Sequence, residues 1–140
     1  MKFIVSNKYE AAVDSIKRNM LSFYESVGLA WHDELKLILY SECALFDIVE
    51  DEIIVGFFMS LDKLDAYYVS ELHIDDMHRG KGYGSKALLK IRTLAGIQGY
   101  DVVNISAIKD SDALRLYEKL DFKRTGEKRY TIELVARILK

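Results

Sequence analysis

The sequence predicts a mixed α/β fold, an α+β sheet flanked by helices, and three observations carry that prediction. Short apolar runs of strand character alternate with stretches whose apolar residues recur at helical spacing. An acidic turn, Glu50-Asp51-Glu52, separates two apolar runs in the manner of a β-hairpin. A glycine-rich turn then joins a Tyr- and Val-rich strand to a helix.

Taken in order, Met1 to Val5 reads as a short strand. Ala12, Val13, Ile16, Met20, Phe23, Tyr24 and Val27 then follow a helical period up to Gly28, giving one amphipathic helix. Trp31 to Tyr40 stays open, because Leu35, Leu37, Ile38 and Leu39 fit either a second short helix or a loop leading into a strand. Ala44 to Val49 and Ile53 to Met59 are the hairpin arms; the second is apolar on both faces and so belongs inside a covered sheet. Ala66 to Ile74 is the third strand, and a helix begins near Gly84, since Ala87, Leu88, Ile91, Leu94 and Ala95 share one face down to Gly99. Asp101 to Ala107 is another strand. Ala113, Leu116, Tyr117 and Leu120 mark a short helix that Asp110 or Ser111 can cap. Asp121 takes the left-handed position that ends it, with Phe122 folding back against it. Tyr130, Ile132, Leu134, Ala136 and Ile138 alternate as a closing strand, and Lys128 to Leu139 is long enough to pair across an interface in a homodimer.

The 140 residues include 20 Lys and Arg against 22 Asp and Glu, a formal charge of -2, which gives no global positive field to hold nucleic acid. A single cysteine, Cys43, excludes disulfide stapling and Cys-rich zinc modules and reads as a core thiol. No apolar run approaches the roughly 20 residues of a membrane span, and Met1 to Ser6 is strand-like rather than a signal peptide, so a cytoplasmic location without membrane contact is expected. There is no proline, repeat or low-complexity linker, so residues 1–140 are expected to form one domain.

The chemistry concentrates at Arg79-Gly80-Lys81-Gly82-Tyr83-Gly84. A glycine-rich turn between strand and helix exposes consecutive N–H groups where the helix dipole is positive, an arrangement suited to phosphate, and Arg79, Lys81 and Lys86 add local positive charge. Two familiar phosphate motifs fail. A triphosphate loop needs Ser or Thr after Gly80-Lys81 but meets Gly82. The dinucleotide fingerprint needs glycine at Ser85.

Arg79 to Gly84 resembles the Arg/Gln-x-x-Gly-x-Gly/Ala signature of the GNAT superfamily of N-acetyltransferases, and Ala113-Leu114-Arg115-Leu116-Tyr117-Glu118-Lys119-Leu120-Asp121-Phe122 resembles its second signature. The likeness runs from about Ile53 to Ile138, with Asp76, Asp110 and Asp121 standing where the family has Pro, Asn and Gly. It implies a central, mostly antiparallel sheet with splayed parallel strands, and acetyl-coenzyme A as co-substrate with no metal. The backbone of Leu72, His73 and Ile74 would meet the pantetheine arm, and Arg79, Gly80, Lys81, Gly82, Tyr83, Gly84 and Ser85 would carry the diphosphate. Tyr117 would face the sulfur, and Ala113 would also bind the cofactor.

The resemblance further implies direct attack by a primary amine on the thioester, a backbone N–H near Ile74 for the oxyanion, and Tyr117 as the acid that protonates the leaving thiolate. Glu71, sharing a strand face with His73, is the candidate base. Trp31 and His32 fall in the segment that would roof a small-molecule or peptide amine acceptor. A coenzyme A-binding or regulatory domain without turnover is the rival class.

Overall fold

A computed structural model describes residues 1–138; Leu139, the last residue of the expected closing segment, lies outside the described residues. The elements are β1 (Lys2–Val5), α1 (Tyr9–Ser26), α2 (Asp33–Tyr40), β2 (Ala44–Glu50), β3 (Ile53–Lys63) and β4 (Ala66–Ile74). After a single 3-10 turn at Asp76–His78 come α3 (Tyr83–Ile97), β5 (Val102–Ile108), α4 (Asp112–Lys119), β6 (Lys123–Glu127) and β7 (Thr131–Arg137). One sheet of seven strands runs in the order β1-β2-β3-β4-β5-β7-β6. Every pairing is antiparallel except β4 with β5.

The open segment resolves as the helix α2, and its apolar residues do not sink into the core: Leu35, Ile38 and Leu39 are all more than half exposed. The hairpin turn is the two-residue loop Asp51-Glu52, both at positive φ (50° and 65°), the geometry whose twist matches the flanking strands.

Two apolar layers sandwich the sheet. On one face α3 and α4 bury Leu88, Ile91, Leu114 and Tyr117 against Val69, Val103, Ile105 and Leu134. On the other, α1 packs Ala12 and Ile16 against Leu45, Phe57 and Met59 of β2 and β3, with Tyr40 of α2 partly buried beside them and Cys43 buried among them as expected of a core thiol.

The end of the chain departs from expectation in one respect. Residues 123–127 form β6, an exposed polar edge strand that the pattern Lys-Arg-Thr-Gly-Glu does not announce. The closing strand β7 is therefore interior, paired to β5 on one side and, over Ile132–Val135, to β6 on the other.

Candidate active site

The site begins with one extra residue. Met59 pairs with Glu71 but Ser60 with Val69, so Ser70 is a β-bulge in β4. The parallel ladder to β5 ends at the same point, with Val69 opposite Ile105. Beyond it the strands part, and a cleft of about 250 Å³ opens, lined by Ser70 to His73 of β4, Ser106 to Ile108 of β5, and Ser111, Ala113 and Tyr117 around α4. Met20 and Thr131 also line it. A larger depression of about 820 Å³ between residues 7–14 and 37–41 is more open and contains neither glycine-rich turn nor tyrosine signature.

Strand geometry leaves the cleft wall unpaired. The Asp75 N–H bonds to the Val55 carbonyl of β3 at 2.8 Å, and N–H directions alternate along a strand, so those of Leu72 and Ile74 turn toward the cleft. The Ile74 carbonyl accepts instead from Arg79 Nε at 2.9 Å.

The bulge also aims two consecutive side chains at the α1/α2 face. Ser70 Oγ lies 3.5 Å from Cys43 Sγ, and Glu71 enters a short network there. Tyr40 donates to Glu71 Oε1 at 2.5 Å, and His73 Nε2 lies 2.7 Å from Glu71 Oε2. The His73 ring stacks on Phe57 at 5.1 Å, and its Nδ1 lies 3.1 Å from the Asn19 amide. Burial, then the Glu71 charge, pushes the Tyr40 phenol well above its ordinary pKa.

Tyr117 reaches the cleft from the other side. Ser111 caps α4, its Oγ accepting from Leu114 N at 3.1 Å, whereas Asp110 takes a left-handed conformation (φ 59°) and is not the cap. Asp121, also left-handed at φ 68°, ends the helix as expected, and Phe122 N–H returns to the Tyr117 carbonyl at 3.0 Å. These two ends fix the roll of a helix barely two turns long. Tyr117 is 6% exposed, and burial followed by the Glu71 charge raises its pKa, so the phenol keeps its proton at neutral pH. No side chain among the described residues hydrogen-bonds that hydroxyl.

The glycine-rich turn forms the third part. Gly80 and Gly82 sit at φ 78° and 80°, and a Cβ on either would meet nothing within 4 Å, so it is backbone conformation rather than space that calls for glycine. Gly82 precedes α3, whose first N–H groups have no intrahelical acceptor. From Gly80 to Ser85 no N–H has an acceptor among the described residues. The series begins one residue later than expected, because Arg79 N–H is bonded to the Asp76 carbonyl at 3.3 Å.

The cations also differ from expectation. Arg79 is held by Ile74, Asn19 and Asp76, and Lys86 by Glu50 at 2.8 Å, which leaves Lys81 as the unpaired cation of the turn among the described residues. The positive character of the turn therefore comes from main-chain dipoles and from Lys81. Trp31 packs on Tyr24 at 5.3 Å in the α1/α2 layer, with Lys36 over both rings, and His32 is an exposed residue at the start of α2. Sequence reasoning missed Tyr40 and Asn19. Tyr40 lay in the segment left open, and nothing local marks Asn19, whose role depends on α1 crossing β4.

The comparisons with known proteins agree with this geometry. Residues 41–124 match the acetyltransferase (GNAT) domain family, a stretch holding both the turn and Tyr117, and the chain belongs to that family. No curated protein sequence matches it significantly. Among solved structures, the fold is similar to that of Tetrahymena GCN5 (TM-score 0.75, 11% identity, covering 99% of this chain and 97% of that one). It is similar to the PaiA N-acetyltransferase of Thermoplasma acidophilum in complex with coenzyme A (0.70, 16%, 98% and 99%). It is also similar to a GNAT family acetyltransferase from Elizabethkingia anophelis with acetyl-CoA bound (0.65, 16%, 76% and 83%). At these identities the likeness establishes the fold. No helix among the described residues is long and apolar enough to cross a membrane.

Proposed function

We propose that the protein transfers the acetyl group of acetyl-coenzyme A to a primary amine by direct attack in a ternary complex. The observation that carries this reading is a cleft that sets an unpaired strand edge beside two ionisable side chains, Glu71 and Tyr117, on a strand that leads into a turn of unpaired N–H groups. The residues suit the co-substrate: the left-handed backbone at Gly80 and Gly82 shapes a turn whose free N–H groups from Gly80 to Ser85 suit a diphosphate. Leu72 and Ile74 offer N–H groups to the pantetheine amides and to the oxygen of the reacting carbonyl.

When bound, acetyl-coenzyme A supplies an acyl group activated as a thioester. Tyr117 holds a proton across the cleft from Glu71 and delivers it to the departing sulfur. Glu71 receives the proton that the attacking amine sheds, while Tyr40 and His73 keep its carboxylate oriented. Those same two donors occupy both Glu71 oxygens, which is the observation favouring a non-catalytic coenzyme A-binding domain as the second reading. Release of free thiol on mixing protein, acetyl-coenzyme A and a panel of primary amines decides between them. Amine-dependent release supports the transferase, and saturable binding of acetyl-coenzyme A with no release for any amine supports the binding domain.

A further inference from the structure

Asn19 lies on α1 and is exposed to solvent, yet both ends of its amide are engaged. Its Oδ1 accepts from Arg79 Nη2 at 3.2 Å, and its Nδ2 lies 3.1 Å from His73 Nδ1. An amide of this kind can be turned either way in a structure, so its direction has to be argued from its partners. Here the partners decide it. A guanidinium has only N–H donors, so the atom facing Arg79 is the amide oxygen. The NH2 end then faces His73, and Nδ1, meeting a donor, must present its lone pair. The proton of the neutral ring is left on Nε2, 2.7 Å from Glu71 Oε2, where an ionised carboxylate can only accept.

We propose that Asn19 is a positioning residue that locks His73 in its Nε2–H tautomer, so that the imidazole is a fixed donor to Glu71 and not a second proton acceptor in the cleft. The inference rests on the role given to Glu71 above and deepens it. The only lone pair on the neutral ring is the one on Nδ1, and Asn19 covers it. Of the two groups that share this strand face, Glu71 is left to take the proton from the amine.

The surroundings of His73 are consistent with a donor role. Phe57 of β3 stacks on the ring, Glu71 on its own strand accepts from it, and Tyr40 of α2 holds the other Glu71 oxygen. Tyr117 of α4 is in electrostatic range of Glu71. Beyond Asn19 stands Arg79, itself paired with Asp76. Arg79 also bonds the Ile74 carbonyl, so one guanidinium at the head of the glycine-rich turn fixes both the end of β4 and the direction of the Asn19 amide.

The test is nitrogen NMR of the histidine rings in the full chain without cofactor, at about pH 8, above the ordinary imidazole range. The sequence has three histidines, His32, His73 and His78, so His32→Gln and His78→Gln assign the His73 signals. The wild type is expected to show an unprotonated Nδ1 and a protonated Nε2. Asn19→Asp replaces the donor with an acceptor, and the His73 Nδ1 signal should move to the protonated position. Arg79→Met removes the group that orients the amide and should give a mixture of tautomers, with the Nε2–H share falling by about tenfold relative to the other form. A protonated Nδ1 in the wild type overturns the proposal, and so does a wild-type His73 pattern in Asn19→Asp. Because the measurement needs no cofactor or acceptor, its failure is distinct from a failure to bind acetyl-coenzyme A, which is titrated separately.

Discussion

Val69 and Ile105 form the last rung of the parallel ladder between β4 and β5, and the next residue of β4, Ser70, is the bulge. The site follows from that coincidence. Up to Val69 the strand spends its backbone groups on two neighbours; past Ser70 it keeps one neighbour, β3, and turns its other edge to the cleft. The same extra residue puts Ser70 and Glu71 on the α1/α2 face together, which is how Glu71 comes to meet Tyr40.

The β3 side of that strand has no slack at Gly56. A Cβ there would collide with the His73 carbonyl oxygen, a backbone atom that cannot swing aside. Gly56→Ala is expected to lower stability by about 3 kcal/mol, at the severe end for overpacking. Urea unfolding measures it; a loss below about 1 kcal/mol would mean that β3 and β4 separate easily.

The turn separates strain from charge. Gly82→Ala meets no neighbour but must hold a left-handed φ, so it should cost about 1 kcal/mol of stability. Gly82→Glu sets a carboxylate beside the unpaired N–H groups and should weaken coenzyme A binding by about 100-fold or more beyond the alanine variant. Calorimetric titration of both variants checks this, and equal affinities would remove the turn from the site.

Tyr117→Phe keeps the ring that packs on Phe122 and removes only the hydroxyl. Turnover should fall by about 100-fold or more with coenzyme A affinity unchanged. Unchanged turnover would dismiss Tyr117 as the acid.

Alkaline pH tests the buried phenols. Tyr40 and Tyr117 both have folded pKa values raised above the unfolded value of about 10, by burial first and the Glu71 charge second. The folded state thus retains protons that the unfolded state releases. Stability attributable to these groups is intact below pH about 10 and is lost as pH rises toward their folded values. Melting temperature should be insensitive to them between pH 7 and 9 and fall above about pH 10, less steeply in the double variant Tyr40→Phe/Tyr117→Phe than in wild type.

Much of this was legible in the chain. β4 spans the expected Ala66–Ile74, α3 begins within a residue of Gly84, and Asp121 adopts the expected left-handed turn, because each is set by local periodicity or local φ. The second signature pointed to Tyr117, and the strand face shared with His73 pointed to Glu71; both line one cleft. What escaped depends on partners distant in sequence. β6 has no apolar alternation because it is an exposed edge strand. α2 stayed ambiguous because Leu35, Ile38 and Leu39 face solvent, so its period does not mark a core face. Tyr40 and Asn19 acquire meaning only through contacts with β4, and the Arg79 N–H is lost to the turn by a bond to Asp76 that spacing does not disclose.

The central claim is that the parted edge of β4 and the amides after Arg79 hold the thioester carrier. Backbone amide NMR during titration with coenzyme A tests it most directly. The largest shifts are expected at Leu72, Ile74 and Gly80 to Ser85, with weaker ones at Ser106 to Ile108. Saturable binding that leaves those amides unmoved, or that shifts instead the residues around Asn7 and Ile38, would contradict the account.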